Sequence, residues 1–159
     1  MNMTMNMNIR QNVFSALKAA MIKKDAKVIS TLRLIMAAIK DKDIVLKGNG
    51  DASGIDETAI ILLMQTMIKQ RNASIVLFKQ GIREDLVKIE EDEILIISSF
   101  LPKQLNDQEI EDAVVNAIKL TQSESIKDMG KVINLMKQNY IGKMDFRIVS
   151  AVIKEKLTK

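Results

Sequence analysis

Lys127, Asp128, Met129, Gly130 and Lys131 set a glycine and two lysines at the expected start of a helix, where unpaired backbone N–H groups attract anions. A phosphate-cradling loop of the Walker type needs a glycine five residues before Gly130 and a hydroxyl residue after Lys131. The chain has Ser125 and Val132 there, so the motif fails. Room for a single phosphate on the N–H groups after Ser125 is what survives. The simpler reading, and the one favoured, is that Gly130 lets two helices approach closely.

Around this segment lie Lys127, Lys131, Lys137, Lys143, Arg147, Lys154 and Lys156. Residues 127–159 carry eight Lys/Arg and three Asp/Glu, 8 − 3 = +5. Such a segment suits phosphate contacts, which give affinity without reading sequence and weaken with salt. Four Phe and one Tyr offer little for base stacking, which argues against single strands and for a folded duplex gripped by shape and charge.

A second polar group is Arg83, Asp85 and Glu90, with Lys69 and Arg71 on the preceding helix. Arg83 and Asp85 follow Gly81 and are placed to tie a helix corner together. Glu90 and Glu93 form a carboxylate pair of the kind used for acid–base work, but carboxylates on adjacent turns of a polar helix face are usually solvated. The chain has no His and no Cys. That removes the usual general acid–base group near neutral pH, the commonest metal ligand, and every thiolate site or disulfide. No catalytic residue, cofactor or metal is expected.

The elements that must position these groups read as all-α. Six Gly and one Pro in 159 residues, with 47% hydrophobic residues, favour helices around a buried core. A first helix starts near Asn8, with Val13, Leu17 and Ala20 on its apolar stripe, and a second follows Asp25. Residues 47–54, with three Gly, form a mobile loop. A third helix runs from Ile55 to Gln80, with Gly81 placed to end it as the left-handed residue. A fourth spans Arg83 to Phe100, with Leu86, Ile89, Ile96 and Ile97 on its apolar side. The run Glu90–Glu93 in its first half complements the helix dipole.

Pro102, the single proline, biases Leu101 away from helical geometry. Asn106 and Glu109 then form a capping box, with Leu105 and Ile110 as a hydrophobic staple. A domain boundary is placed there: 1–101, an N-terminal domain of about four helices, and 102–159, a three-helix bundle. The bundle helices are expected at 107–120, 126–138 after Ser125, and 146–157 after Asp145. Its core draws on Ile110, Val114, Ile118, Met129, Val132, Ile133, Met136, Ile148, Val152 and Ile153. The alternating Met and Asn of residues 1–7 read as a disordered terminus. With no signal-like segment and no membrane span, a cytoplasmic location is expected.

Taken in order, TLRLIMAAIKDKDI (31–44), IKQRNASIVLFKQGIREDLVKIEEDE (68–93), FLPKQL (100–105) with Glu109, DMGKVINLMK (128–137) and GKMDF (142–146) resemble the YqeY family. The C-terminal part of that family is related to the tail domain found in one of the subunits of the glutamine-dependent tRNA amidotransferases. The resemblance implies a helical N-terminal domain joined to a three-helix tail. It also implies grouping with carbon–nitrogen ligases that use glutamine as amido-N-donor, although the chemistry of those enzymes belongs to other domains and subunits. The family motif residues in this chain are Arg83, Asp85, Leu101, Pro102, Gly130 and Asp145. Phe100 stands where tyrosine is usual, and Met144 and Phe146 flank Asp145 where small residues are common. Because the related tail contacts the outer corner of tRNA, Lys127, Lys131, Lys137, Lys143 and Arg147 are the expected nucleic-acid contacts. The expected partner is tRNA or a tRNA-dependent enzyme, with no membrane partner. The alternative is a protein-interaction adaptor whose charge serves only solubility.

Overall fold

A computed structural model describes residues 8–158, so the disorder expected of residues 1–7 lies outside the described residues. Among these it contains seven α-helices, one 3-10 turn and no strand: α1 Ile9–Lys23, α2 Ala26–Gly48, α3 Glu57–Gln80, α4 Glu84–Ser98, α5 Asp107–Thr121, a 3-10 turn Ile126–Asp128, α6 Met129–Tyr140 and α7 Phe146–Leu157. The fold is all-α. The chain divides into two compact units, residues 1–101 and 102–159.

Short side chains start most of the helices. Asn8 accepts from the Gln11 N–H, Asp25 from Val28, Asp56 from Ala59, Asn106 from Glu109, and Asp145 from Arg147. Each bond satisfies a donor that the helix itself leaves unpaired, a contribution of about 1 kcal/mol. At Asn106 the box is complete, because the Glu109 carboxylate also accepts from the Asn106 N–H.

In the N-terminal unit, Ile9 and Val13 of α1, Leu32, Ile35 and Ile39 of α2, Ile60 and Met64 of α3 and Ile97 of α4 form a fully buried core. Several sequence expectations are corrected here. The second helix continues through Gly48, and α3 begins at Glu57 rather than Ile55. The connecting loop is not loose throughout: Asp43 accepts from the Ile55 N–H at 2.8 Å, and Arg10 pairs with Asp43 while donating to the Ile55 carbonyl at 3.1 Å. Gly54, at φ +86°, lies in that clamp. A Cβ there would stand 3.1 Å from both the Arg10 guanidinium and the Asp43 carboxylate.

Gly81 does not take the left-handed role. It has φ −85°, and Ile82 holds φ +54° instead. The Arg83 N–H reaches the Phe78 carbonyl and the Ile82 N–H reaches Lys79, which is the paired closure of a Schellman turn with Ile82 as its left-handed residue. On α4, Val87 and Ile97 are buried, whereas Ile89 is 47% exposed. The acidic run occupies the middle of α4 rather than its first turn, which holds Glu84 and Asp85. It ties helices together: Asp92 pairs with Lys27 of α2 at 2.6 Å, and Glu93 with Arg71 of α3 at 2.7 Å.

The C-terminal unit packs Ile110, Val114 and Ala117 of α5 against Val132 and Met136 of α6 and Val149, Ile153 and Leu157 of α7. Ile148, expected in this core, is 50% exposed; the next position, Val149, is buried in its place. Met144 is also buried, so the large residue before Asp145 serves packing. The helix start expected after Ser125 leads first into the 3-10 turn, and α-geometry begins only at Met129.

Candidate nucleic-acid interface

The five expected contact residues all lie in the C-terminal unit. Lys127 sits in the 3-10 turn, Lys131 in the first turn of α6, Lys137 in its last turn, Lys143 between α6 and α7, and Arg147 in the first turn of α7. All five are exposed. Lys127, Lys143 and Arg147 take part in no ion pair among the described residues. Lys131 approaches Asp128 only at 3.6 Å, and Lys137 stands 5.9 Å from the centroid of the Phe146 ring. Lys156, by contrast, is held by Glu111 at 2.8 Å, a bond that raises its affinity for a proton.

The neighbouring acids also serve the backbone. Asp128 turns back to accept from the Glu124 N–H at 2.9 Å and the Ser125 N–H at 3.4 Å; those bonds, ahead of the nearby Lys131, hold its carboxyl below the ordinary range. Asp145 caps α7 through the Arg147 N–H at 2.9 Å. Both acids serve helix starts, although Asp128 keeps its other oxygen 3.6 Å from the Lys131 ammonium.

The set is not one row. Lys131 and Lys137 are six residues apart, which places them about 9 Å apart along α6 and about 120° apart around it. Lys127 and Lys131 mark the N-terminal end of α6, one turn apart. Lys137, beside the Phe146 ring, shares the other end with the Lys143 loop and the start of α7.

The phosphate site expected on the N–H groups after Ser125 is disfavoured: the Asp128 N–H is taken by the Ser125 carbonyl, and the Asp128 carboxylate, folded back onto the N–H groups at 124 and 125, puts a negative charge in the same turn. The packing role expected of Gly130 is also corrected. A Cβ built there meets nothing within 4 Å, so no helix lies close enough to require glycine.

The remaining motif residues have structural partners. The Arg83 guanidinium makes two bonds to the Asp85 carboxylate, at 3.1 and 2.9 Å, on the exposed corner between α3 and α4. That pairing lowers the Asp85 carboxyl below its usual range. Leu101 packs, half buried, on the N-terminal core. The Pro102 carbonyl accepts from the Gln104 amide at 2.9 Å. The same amide donates to the Gly142 carbonyl at 2.6 Å, and the Leu105 N–H donates to the Lys143 carbonyl at 2.8 Å. The segments FLPKQL and GKMDF thus meet, fixing the backbone that carries Lys143. Gln104 was missed by sequence reasoning; its presence in one family segment, 38 residues from another, was the only signal.

Glu90 and Glu93 are not a free acid–base pair. Glu93 is engaged by Arg71, and Glu90 is pushed above the ordinary carboxyl range by burial first and by Glu93 second, with Arg71 opposing. Among the described residues no group of three or more His, Cys, Asp or Glu could hold a metal ion, and no helix is long and apolar enough to cross a membrane.

The model of the family described as Yqey-like protein matches residues 10–157. The chain belongs to the YqeY family. Similar proteins include "Altered inheritance of mitochondria protein 41, mitochondrial" of Lachancea thermotolerans, 36% identical over 129 residues, covering 77% of this chain and 67% of that protein. The proteins of the same name from Saccharomyces cerevisiae and Candida glabrata are each 31% identical, covering 82% and 91% of this chain and 67% and 75% of their own lengths. These YqeY relatives overturn the cytoplasmic location expected from the sequence, since their names place them in the mitochondrion.

Proposed function

We propose that this YqeY protein is a noncatalytic module that engages tRNA, or an enzyme working on tRNA, through its C-terminal unit. The observation that carries the reading is the exposure of Lys127, Lys131, Lys137, Lys143 and Arg147, of which, among the described residues, only Lys131 has a carboxylate within 4 Å, Asp128 at 3.6 Å. The kinship of this part of the family with the amidotransferase tail supports the same reading. Lys127 and Lys131 form one phosphate-facing pair, and Lys137, Lys143 and Arg147 form a second group. Two groups set at an angle suit a folded polyanion better than a straight single strand.

Titration of fluorescently labelled tRNA over a salt series tests this. Saturable binding should weaken as salt rises, and Lys131→Glu and Lys143→Glu should each reduce the logarithmic salt slope by about one. Absence of saturable binding at low salt, or slopes unchanged in both variants, refutes the reading.

A further inference from the structure

The N-terminal unit carries a row of unpaired cations along one helix. In α2, Arg33, Lys40 and Lys47 are spaced seven residues apart. Seven residues fall about 20° short of two full turns, so the three share one face, with about 10.5 Å from each to the next. Arg33 and Lys40 each follow a fully buried residue, Leu32 and Ile39, by one position, so the packing of that seam fixes the side on which the row stands. All three are exposed and enter no ion pair among the described residues.

The acids near the row face other partners or another side of the helix. Asp43, three residues after Lys40 and four before Lys47, is held by Arg10 at 2.6 Å and by the Ile55 N–H at 2.8 Å. Asp51, past the end of α2, accepts from the Ser53 N–H at 2.9 Å. Asp41 lies about 100° around the helix from Lys40. The whole of α2 carries five Lys/Arg and two Asp, 5 − 2 = +3.

Spacing and composition select the occupant. Arg33 and Lys47 stand about 21 Å apart along α2, too far for one phosphate or one carboxylate to meet both. A ligand that satisfies the row therefore carries its negative charges in series. On the same face Ala37 and Ile44 fall between the cations, and no aromatic side chain stands in the row. Interface cores between proteins are enriched in aromatics and methionine and depleted in lysine, whereas a nucleic-acid backbone is held by Lys and Arg without an apolar anchor. Exposed Asp41, beside Lys40, opposes an anionic membrane lying flat on the helix.

We propose that Arg33, Lys40 and Lys47 form a second nucleic-acid contact surface, which meets the phosphate backbone of a folded RNA. The inference rests on the reading above for the kind of polyanion, but it uses no residue of the C-terminal unit.

The test uses the full chain and labelled tRNA over a salt series. Replacing all three together, Arg33→Gln, Lys40→Gln and Lys47→Gln, should lower the logarithmic salt slope by about two to three, since each phosphate contact contributes about 0.9. The side chains are exposed, so the fold is kept, which circular dichroism verifies. In the wild-type complex, a lysine-acetylating reagent read by mass spectrometry should find Lys40 and Lys47 shielded, and Lys79, on α3 outside the row, unchanged. A slope lowered by Lys131→Glu and Lys143→Glu but not by the α2 substitutions overturns this inference and leaves the proposed function standing. Acetylation of Lys40 and Lys47 as fast with tRNA as without it overturns it too. A slope lowered by the α2 substitutions alone supports it and refutes the tail as the contact site. Absence of saturable tRNA binding overturns both. Tighter binding of anionic phospholipid vesicles or of polyglutamate than of tRNA, with the same sensitivity to the α2 substitutions, also overturns it.

Discussion

Ile82→Gly should stabilise the protein, and Gly81→Ala should not harm it. Ile82 holds φ +54° while 83% exposed, so its side chain gives up little on truncation and its backbone is strained for a β-branched residue. The left-handed region costs an L-residue roughly 1–2 kcal/mol. Glycine removes that cost but returns roughly 0.4–1 kcal/mol through the greater freedom of the unfolded chain. The net gain lies between about 0 and 1.6 kcal/mol, with a midpoint of about 0.8 kcal/mol, or a few degrees in Tm for a unit of this size. Gly81 has φ −85°, and a Cβ there meets the Leu77 carbonyl at 3.7 Å, an ordinary contact. Alanine fits and should add about 0.4–1 kcal/mol by the same entropic reasoning. Urea denaturation followed by far-ultraviolet circular dichroism measures both variants. If Ile82→Gly destabilises while Gly81→Ala costs about 1 kcal/mol or more, the left-handed residue is Gly81 and the turn geometry is wrong.

Arg71→Ala should cost about 3 kcal/mol in the same assay, because it strands Glu93 in a site where the paired side chains are only 13% and 19% exposed. Asp43 sits below its ordinary value of 3.8 through bonds from Arg10 first and the Ile55 N–H second. Its contribution is therefore complete above that value and is lost as pH falls through the lower folded one, so Asp43→Asn should flatten the acid limb of the stability curve. Glu90 has the opposite sign, since burial raises it above 4.5 and its ionised form costs stability at neutral pH. Glu90→Gln should raise the urea midpoint at neutral pH, with the gain disappearing at about pH 4, where the wild-type carboxyl is protonated.

What the sequence determined by itself was the helices and the starts of four of them, whereas α3 and α6 begin later than their sequence signals indicate. Asn8, Asp25, Asn106 and Asp145 each reach a backbone N–H two or three residues ahead, a bond whose two ends lie within one turn and can be read from order alone. The apolar stripe of α1, Val13, Leu17 and Ala20, was legible for the same reason, since a helical period places residues on one face before any partner is known. The family segments, too, are contiguous stretches.

Only the tertiary structure decided the use of the charges and the choice between adjacent positions. Glu93 meets Arg71 across 22 residues and Asp92 meets Lys27 across 65, so the acidic run became a fastening between helices instead of a response to the α4 dipole. Whether Ile148 or Val149 faces inward, and whether Gly81 or Ile82 turns left-handed, rests on a shift of one residue, about 100° around a helix, which packing alone selects. The tail lysines follow the same rule. Their number is in the sequence, but that Lys156 pairs with Glu111 and Lys131 with Asp128, while Lys127, Lys143 and Arg147 enter no ion pair among the described residues, is visible only in the folded chain.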